Sequence, residues 1–225
     1  MKKRTLFLAA VLSGAMTGCG ATTTETITAP QIEQYRIVRI AVLPFMVSPP
    51  TPGQRRGYAA PAPPAVAGNK LADVFYLKLN AREGLAVVPP QMVREAMPSI
   101  TASVASRSVL RDLGERLDVA ALLEGVVEVY QERKGSAIGL ERAEDASAVG
   151  FSVRLISVKD GKTLWTGEYY ERQRPLTEDL SGFLERGVRF LTVEQLANSA
   201  VDKVLREFPL GRQIQRMQGE MSPSP

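Results

Sequence analysis

Side chains able to carry covalent or acid-base chemistry are scarce in this chain. It contains no histidine and a single cysteine, Cys19. Those counts exclude Ser-His-Asp and Cys-His nucleophilic arrangements, His-ligated zinc and any intrachain disulfide. The nearest approach to a carboxylate pair is Glu168 and Glu171. An odd spacing along a strand throws them to opposite faces, so they cannot flank one substrate, and the spacing points instead to solvation or to pairing with Arg172 and Arg174. The glycines at 135 and 139 lack both the following helix and the Lys-Ser/Thr step of a phosphate-binding loop. No acidic cluster has the spacing of a calcium-binding loop. The sequence therefore predicts a protein that is not an enzyme, with no metal, no non-covalent cofactor and no small-molecule substrate.

The remaining reactive group, Cys19, lies at the end of an export signal. Lys2, Lys3 and Arg4 form a basic start, residues 6–12 an apolar run, and Ser13, Gly14, Ala15 and Gly18 a small-residue approach to the cysteine. The run is too short to span a bilayer. Met16-Thr17-Gly18-Cys19 resembles the bacterial lipobox, with Met16 where leucine is usual. That resemblance implies cleavage between Gly18 and Cys19, a diacylglycerol on the sulfur and an acyl chain on the new amine. The other reading is an ordinary cleaved signal peptide with an incidental cysteine. Burial of acyl methylenes contributes about 0.8 kcal/mol each, so two or more chains hold a protein stably where one does so only reversibly. Gly20, in place of the aspartate that retains enterobacterial lipoproteins at the inner membrane, implies the outer membrane, with the domain in the periplasm. Three of the 28 basic residues and none of the 24 acidic ones lie in the leader, so cleavage leaves 25 against 24 and a formal charge of +1. This near-neutral balance gives no support to nucleic-acid binding.

Beyond the leader the chain must be organised by an aliphatic core, since 44% of the residues are hydrophobic and only 6% aromatic. Residues 1–18 read as the signal peptide, 19–35 as a lipidated flexible tether, 36–209 as one α/β domain and 210–225 as a disordered polar tail. The Thr-rich stretch 20–35 has no ordering hydrophobic period and predicts a reach of roughly 50 Å when extended. Residues 37–43 are apolar on both faces, predicting a central buried strand that Pro44 ends. The Pro-rich residues 47–67 predict a long loop. Its Arg55, Arg56 and Tyr58 are candidate contact residues, because a structureless loop of this length is unusual in a compact domain.

Periodicity assigns the rest. Leu71, Val74, Phe75 and Leu79 predict a helix closed by Gly84. Residues 85–88 predict a short strand, 91–97 a short helix, and 109–117 a helix capped by Ser108. Residues 119–130 predict a strand with Leu123, Gly125, Val127 and Val129 on one face and Glu124, Val126, Glu128 and Tyr130 on the other. A hairpin comes next, with Val149, Phe151, Val153 and Leu155 alternating, a type I′ turn at Asp160-Gly161, and a return strand over 163–173. Leu180, Phe183 and Leu184 predict a short helix. Residues 192–208, with Thr192 as cap and Pro209 as stop, predict a long amphipathic one. The expected fold is α/β: a single three-layer-like sandwich with a mixed β-sheet, helices packed on it, and a C-terminal hairpin followed by a long helix.

The order of these signals, with Leu43-Pro44-Phe45, Leu113-Gly114 leading to Asp118-Val119-Ala120, Gly125-Val126-Val127, and the run from Gly161 to Glu168, resembles the superfamily of outer-membrane lipoproteins built on a domain like the amino-terminal one of TolB. The curli secretion channel CsgG, the lipoprotein activators of penicillin-binding proteins and the Pel polysaccharide lipoprotein are members. The resemblance implies a non-enzymatic role through partner binding or ring formation. A transmembrane barrel is disfavoured, because neither 47–67 nor 131–147 has lipid-facing alternation. Two functions remain open: a self-associating accessory or assembly subunit of an envelope export or biogenesis machine, and a monomeric tethered module regulating a periplasmic partner such as a cell-wall synthase. Trp165, Tyr169 and Tyr170 form a candidate interaction cluster of interface type. The competing reading buries Trp165 under the last helix.

Overall fold

A computed structural model describes residues 22–48, 61–97, 107–133, 146–173 and 191–213. In chain order the elements are β1 (Thr22–Thr28), a 3-10 turn (Ile32–Tyr35), β2 (Arg39–Val42), β3 (Met46–Val47), α1 (Val66–Asn80), β4 (Arg82–Glu83), β5 (Ala86–Val88), α2 (Pro90–Ala96), α3 (Arg107–Leu117), β6 (Ala121–Gln131), β7 (Ala148–Ser157), β8 (Thr163–Arg172), α4 (Val193–Leu205) and β9 (Arg212–Gln213).

The apolar residues Ile40, Ala41 and Val42 make β2 an interior strand because both of their faces must be covered. β2 pairs in parallel with β5 on one side and β6 on the other. Pro44 interrupts it, and pairing with β6 resumes at β3. β7, β8 and β1 then add in antiparallel fashion, giving the order β1-β8-β7-β6-β2-β5. Alternate side chains feed two cores. On one face Ile40, Leu123, Val153 and Trp165 pack against α1 and α4 through Leu71, Phe75, Val201 and Val204. On the other, Ala41, Leu43, Leu122 and Ile156 pack against α2 and α3 through Val93, Leu110 and Leu113. The structure is thus the expected sandwich, with helices on both faces of a mixed sheet.

Close approach of α1 to the Leu43-Pro44-Phe45 step depends on Gly68, where a Cβ would lie 2.1 Å from the Phe45 carbonyl oxygen. Gly68→Ala is expected to destabilise the domain by about 1–3 kcal/mol, overriding the gain of about 1 kcal/mol that alanine brings to a helix interior. Urea unfolding followed by circular dichroism checks the sign.

Several local expectations are corrected. Residues 22–28, assigned to the tether, form β1, and Ile32, only 6% exposed, belongs to the core. β-branched threonines satisfy a strand ladder without supplying a hydrophobic period. Tyr130 joins the face of Leu123 and Val127 instead of that of Glu124, since Val127 pairs with Phe151 and Val129 with Gly150, and the extra residue Glu128 reverses the alternation. The β7–β8 connection is not type I′, which needs two successive left-handed residues. Only Gly161 is left-handed there (φ 69°), in a longer loop closed between Ser157 and Lys162. Ser108 lies inside α3 and does not cap it. Thr192 does cap α4, in a capping box with Gln195. Arg212 and Gln213, assigned to the tail, pair with β4. The expected helix around Leu180, Phe183 and Leu184 lies outside the described residues.

Candidate interaction surface

The structure separates the predicted cluster. Trp165 is fully buried, its ring edge-on to Phe208 at 4.9 Å between centroids. Gly167 makes room for it, since a Cβ there would meet Val204 at 2.6 Å and the indole at 2.7 Å. Trp165 therefore packs under the last helix and is not a contact residue. Tyr169 is also interior, stacked on Phe151 at 5.8 Å. Its hydroxyl donates to Glu171 and accepts from Lys203 at 2.9 Å, and Lys203 also donates to Glu171 at 2.9 Å. Burial, then the hydrogen bond to the Glu171 carboxylate, push the Tyr169 phenol far above its ordinary value. Three polar groups thereby fasten α4 to β8, and Glu171 works as part of this fastening. Tyr170 alone is half-buried on the opposite face, across from Thr23 and Gly150. Gly18, Cys19, Arg55, Arg56 and Tyr58 lie outside the described residues.

The surface that sequence reasoning missed begins at β1. All seven residues of Thr22–Thr28 pair with β8, and among the described residues no strand covers the other edge. The Ala29 amide donates to the Leu164 carbonyl at 2.8 Å. Antiparallel alternation then turns the amides of Thr24, Thr26 and Thr28 outward. Natural sheets blunt such edges with lysine, proline or bulges. Here the strand has none of these, and Glu25 is its single charge. The β-branched composition was the available signal, hidden by low hydrophobicity.

Beside this edge, one region of the sheet carries no helix among the described residues. A groove of about 370 Å³ runs between Pro44, Met46 and Val126 toward Thr166 and Glu168, with the Glu124–Arg154 ion pair in its wall. Met46 is 54% exposed, and Ile27, on the β1 face that continues toward Thr166, is 62% exposed. Edge and groove offer backbone donors, backbone acceptors and modest apolar area, the chemistry of chain-to-chain docking. Among the described residues no group of three His, Cys, Asp or Glu is placed to hold a metal ion. No described helix is long and apolar enough to cross a membrane.

The chain leaving β1 is fixed at its far end by Tyr35, which donates to Asp160 in the β7–β8 loop at 2.8 Å. Burial acts to raise the Asp160 carboxyl, but the neighbouring Ser157 hydroxyl, then the Tyr35 hydroxyl and the Lys162 amide and side chain, outweigh this and hold it at about 2. A depressed carboxyl contributes stability that is complete above its unfolded value, near 4, and lost as pH falls through its folded value. The stability advantage of wild type over Asp160→Asn is therefore expected to be constant above pH 4 and absent by pH 2, read by denaturant titration at each pH.

No established family profile and no curated relative matches the sequence. Solved structures of similar fold include the PelC dodecamer of Paraburkholderia phytofirmans, at 16% identity over 82% of this chain and 94% of that one, with a TM-score of 0.47. The LpoB C-terminal domain of Salmonella enterica is 13% identical over 60% of this chain and 83% of its own, with a TM-score of 0.37. Lipoprotein GNA1162 of Neisseria meningitidis is 19% identical over 76% and 99%, also with a TM-score of 0.37.

Proposed function

We propose that this protein is a periplasm-facing, outer-membrane lipoprotein that performs no catalysis and serves as a self-associating accessory subunit of an envelope export or biogenesis machine. The anchor rests on Met16-Thr17-Gly18-Cys19 followed by Gly20, and the non-catalytic role on a sequence with no histidine and no paired carboxylates. Self-association rests on the open edge of β1, seven residues long with one charge. A strand that must stay monomeric at a membrane, where copies are concentrated in two dimensions, would be expected to carry edge charges. The alternative is a monomeric tethered module that regulates a periplasmic partner such as a cell-wall synthase.

Light scattering of a soluble form spanning 20–225, at several concentrations and salt levels, tests this. A discrete oligomer is expected for the wild type. Thr24→Pro, which removes an outward amide and leaves the β1–β8 ladder its bonds, is expected to shift the mass toward monomer with an unchanged circular dichroism spectrum. A wild type that stays monomeric at every concentration would sink self-association of the domain.

A further inference from the structure

We infer that β1 receives the β1 of a second copy, antiparallel and centred on Thr26, so that one sheet runs through both copies. The inference rests on the self-association proposed above and fixes its partner and register. Two copies of one edge meet antiparallel about a two-fold axis perpendicular to the sheet. The other described edge, β5, is three residues long, so pairing β1 with it would leave most of the β1 ladder unmet.

The parity of the outward groups leaves few registers. Because Ala29 donates to Leu164, residues 23, 25 and 27 bond to β8, and Thr22, Thr24, Thr26 and Thr28 turn outward. Outward residues must pair with outward ones, so overlaps of five residues or more put the two-fold axis at Thr24, Glu25 or Thr26. Centring on Glu25 overlaps all seven residues, but it sets Glu25 against its own copy with about 4.5 Å between Cα atoms. Glu25 already lies across from Glu168, and Arg154 on the same face is engaged by Glu124. This register would line up four carboxylates, two from each copy, and like charges directly opposed are destabilising. Centring on Thr24 leaves Ile27, 62% exposed, beyond the joint ladder. Centring on Thr26 sets Glu25 against Ile27 of the second copy, which separates the carboxylates and covers each isoleucine with glutamate methylenes. Thr26 then meets Thr26 and Thr24 meets Thr28, threonine pairs that stabilise a ladder. The amides of Thr24, Thr26 and Thr28 all find carbonyls across the junction.

Oxidative cross-linking with copper-phenanthroline tests the register in the full-length mature protein, with wild type as the blank for Cys19, its one native cysteine. Directly opposed residues have Cα atoms about 4.5–5.5 Å apart, within disulfide range. A displacement by two residues opens this to about 7–8 Å, beyond disulfide reach. Thr26→Cys alone is expected to link severalfold above the blank, as is a mixture of Thr24→Cys with Thr28→Cys. Thr24→Cys alone, and a mixture of Thr22→Cys with Thr28→Cys, are expected to stay at the blank. Mixed dimers are read from intact mass with one partner 15N-labelled, and light scattering of the reduced proteins reports association separately. Should Thr26→Cys itself fail to associate, the Thr24→Cys and Thr28→Cys mixture decides. A link in Thr24→Cys alone or in the Thr22→Cys and Thr28→Cys mixture, or an oligomer that links at none of these positions, would overturn this register and leave self-association standing. A monomeric wild type would overturn both.

Discussion

Replacing Trp165 by alanine is expected to cost about 3–5 kcal/mol, a large share of the roughly 5–15 kcal/mol that holds a domain together. The indole has no exposed surface, and it fills the space between β8, Phe208 and Val204 that Gly167 leaves open. Truncation leaves a cavity walled by a sheet and a helix, neither of which can collapse into it without breaking the capping box of α4 or the Lys203–Glu171 contact. Unfolding monitored by circular dichroism should show a strongly lowered midpoint with an unchanged slope. Below that midpoint the variant should associate as wild type does. Loss of association in a fully folded Trp165→Ala protein would contradict the assignment of this residue to the core.

Arg82→Ala is expected to destabilise by about 3 kcal/mol. The guanidinium donates to four carbonyls along the segment that closes α4, those of Leu205 (3.1 Å), Phe208 (3.0 Å), Leu210 (2.8 Å) and Gly211 (3.0 Å). It also sits 5.6 Å from the centre of the Phe208 ring, the ring that covers Trp165. Bonds from a charged donor contribute about 1.5–3 kcal/mol each when isolated, but partial exposure lets water replace some of them. Arg82→Lys should recover less than half of the loss, because an ammonium cannot address four acceptors with a planar fork. Denaturant titration gives the stability. Limited proteolysis should find new cleavage within 206–213 in Arg82→Ala before any elsewhere.

Legibility in the sequence depended on how each signal was encoded. The buried strand at 39–42, α1, the β7–β8 pairing and α4 with its Thr192 cap all carry strong hydrophobic period or specific capping chemistry, and these appear where expected. β1 was missed because its stability comes from backbone pairing and threonine propensity, which no hydrophobic pattern reports. The phase of Tyr130 was missed because a bulge is a property of two strands and cannot be read from one. Trp165 and Tyr169 illustrate the same limit at the candidate site. Their types favour interfaces, but which face of β8 is covered depends on α4 packing from about 30 residues away in the chain. Arg82 carried no local signal at all, since its partners lie more than 120 residues downstream.

Amide hydrogen exchange resolved along β1, measured below and above the concentration at which the protein associates, tests most directly whether this edge is the interface. In the dilute protein the amides of Thr23, Glu25 and Ile27, turned toward β8, are expected to exchange slowly, and those of Thr24, Thr26 and Thr28 fast. Association should slow the second set by orders of magnitude and leave the first unchanged. Outward amides already protected in the monomer, or still fast in the oligomer, would contradict the assignment of β1 as the self-association edge.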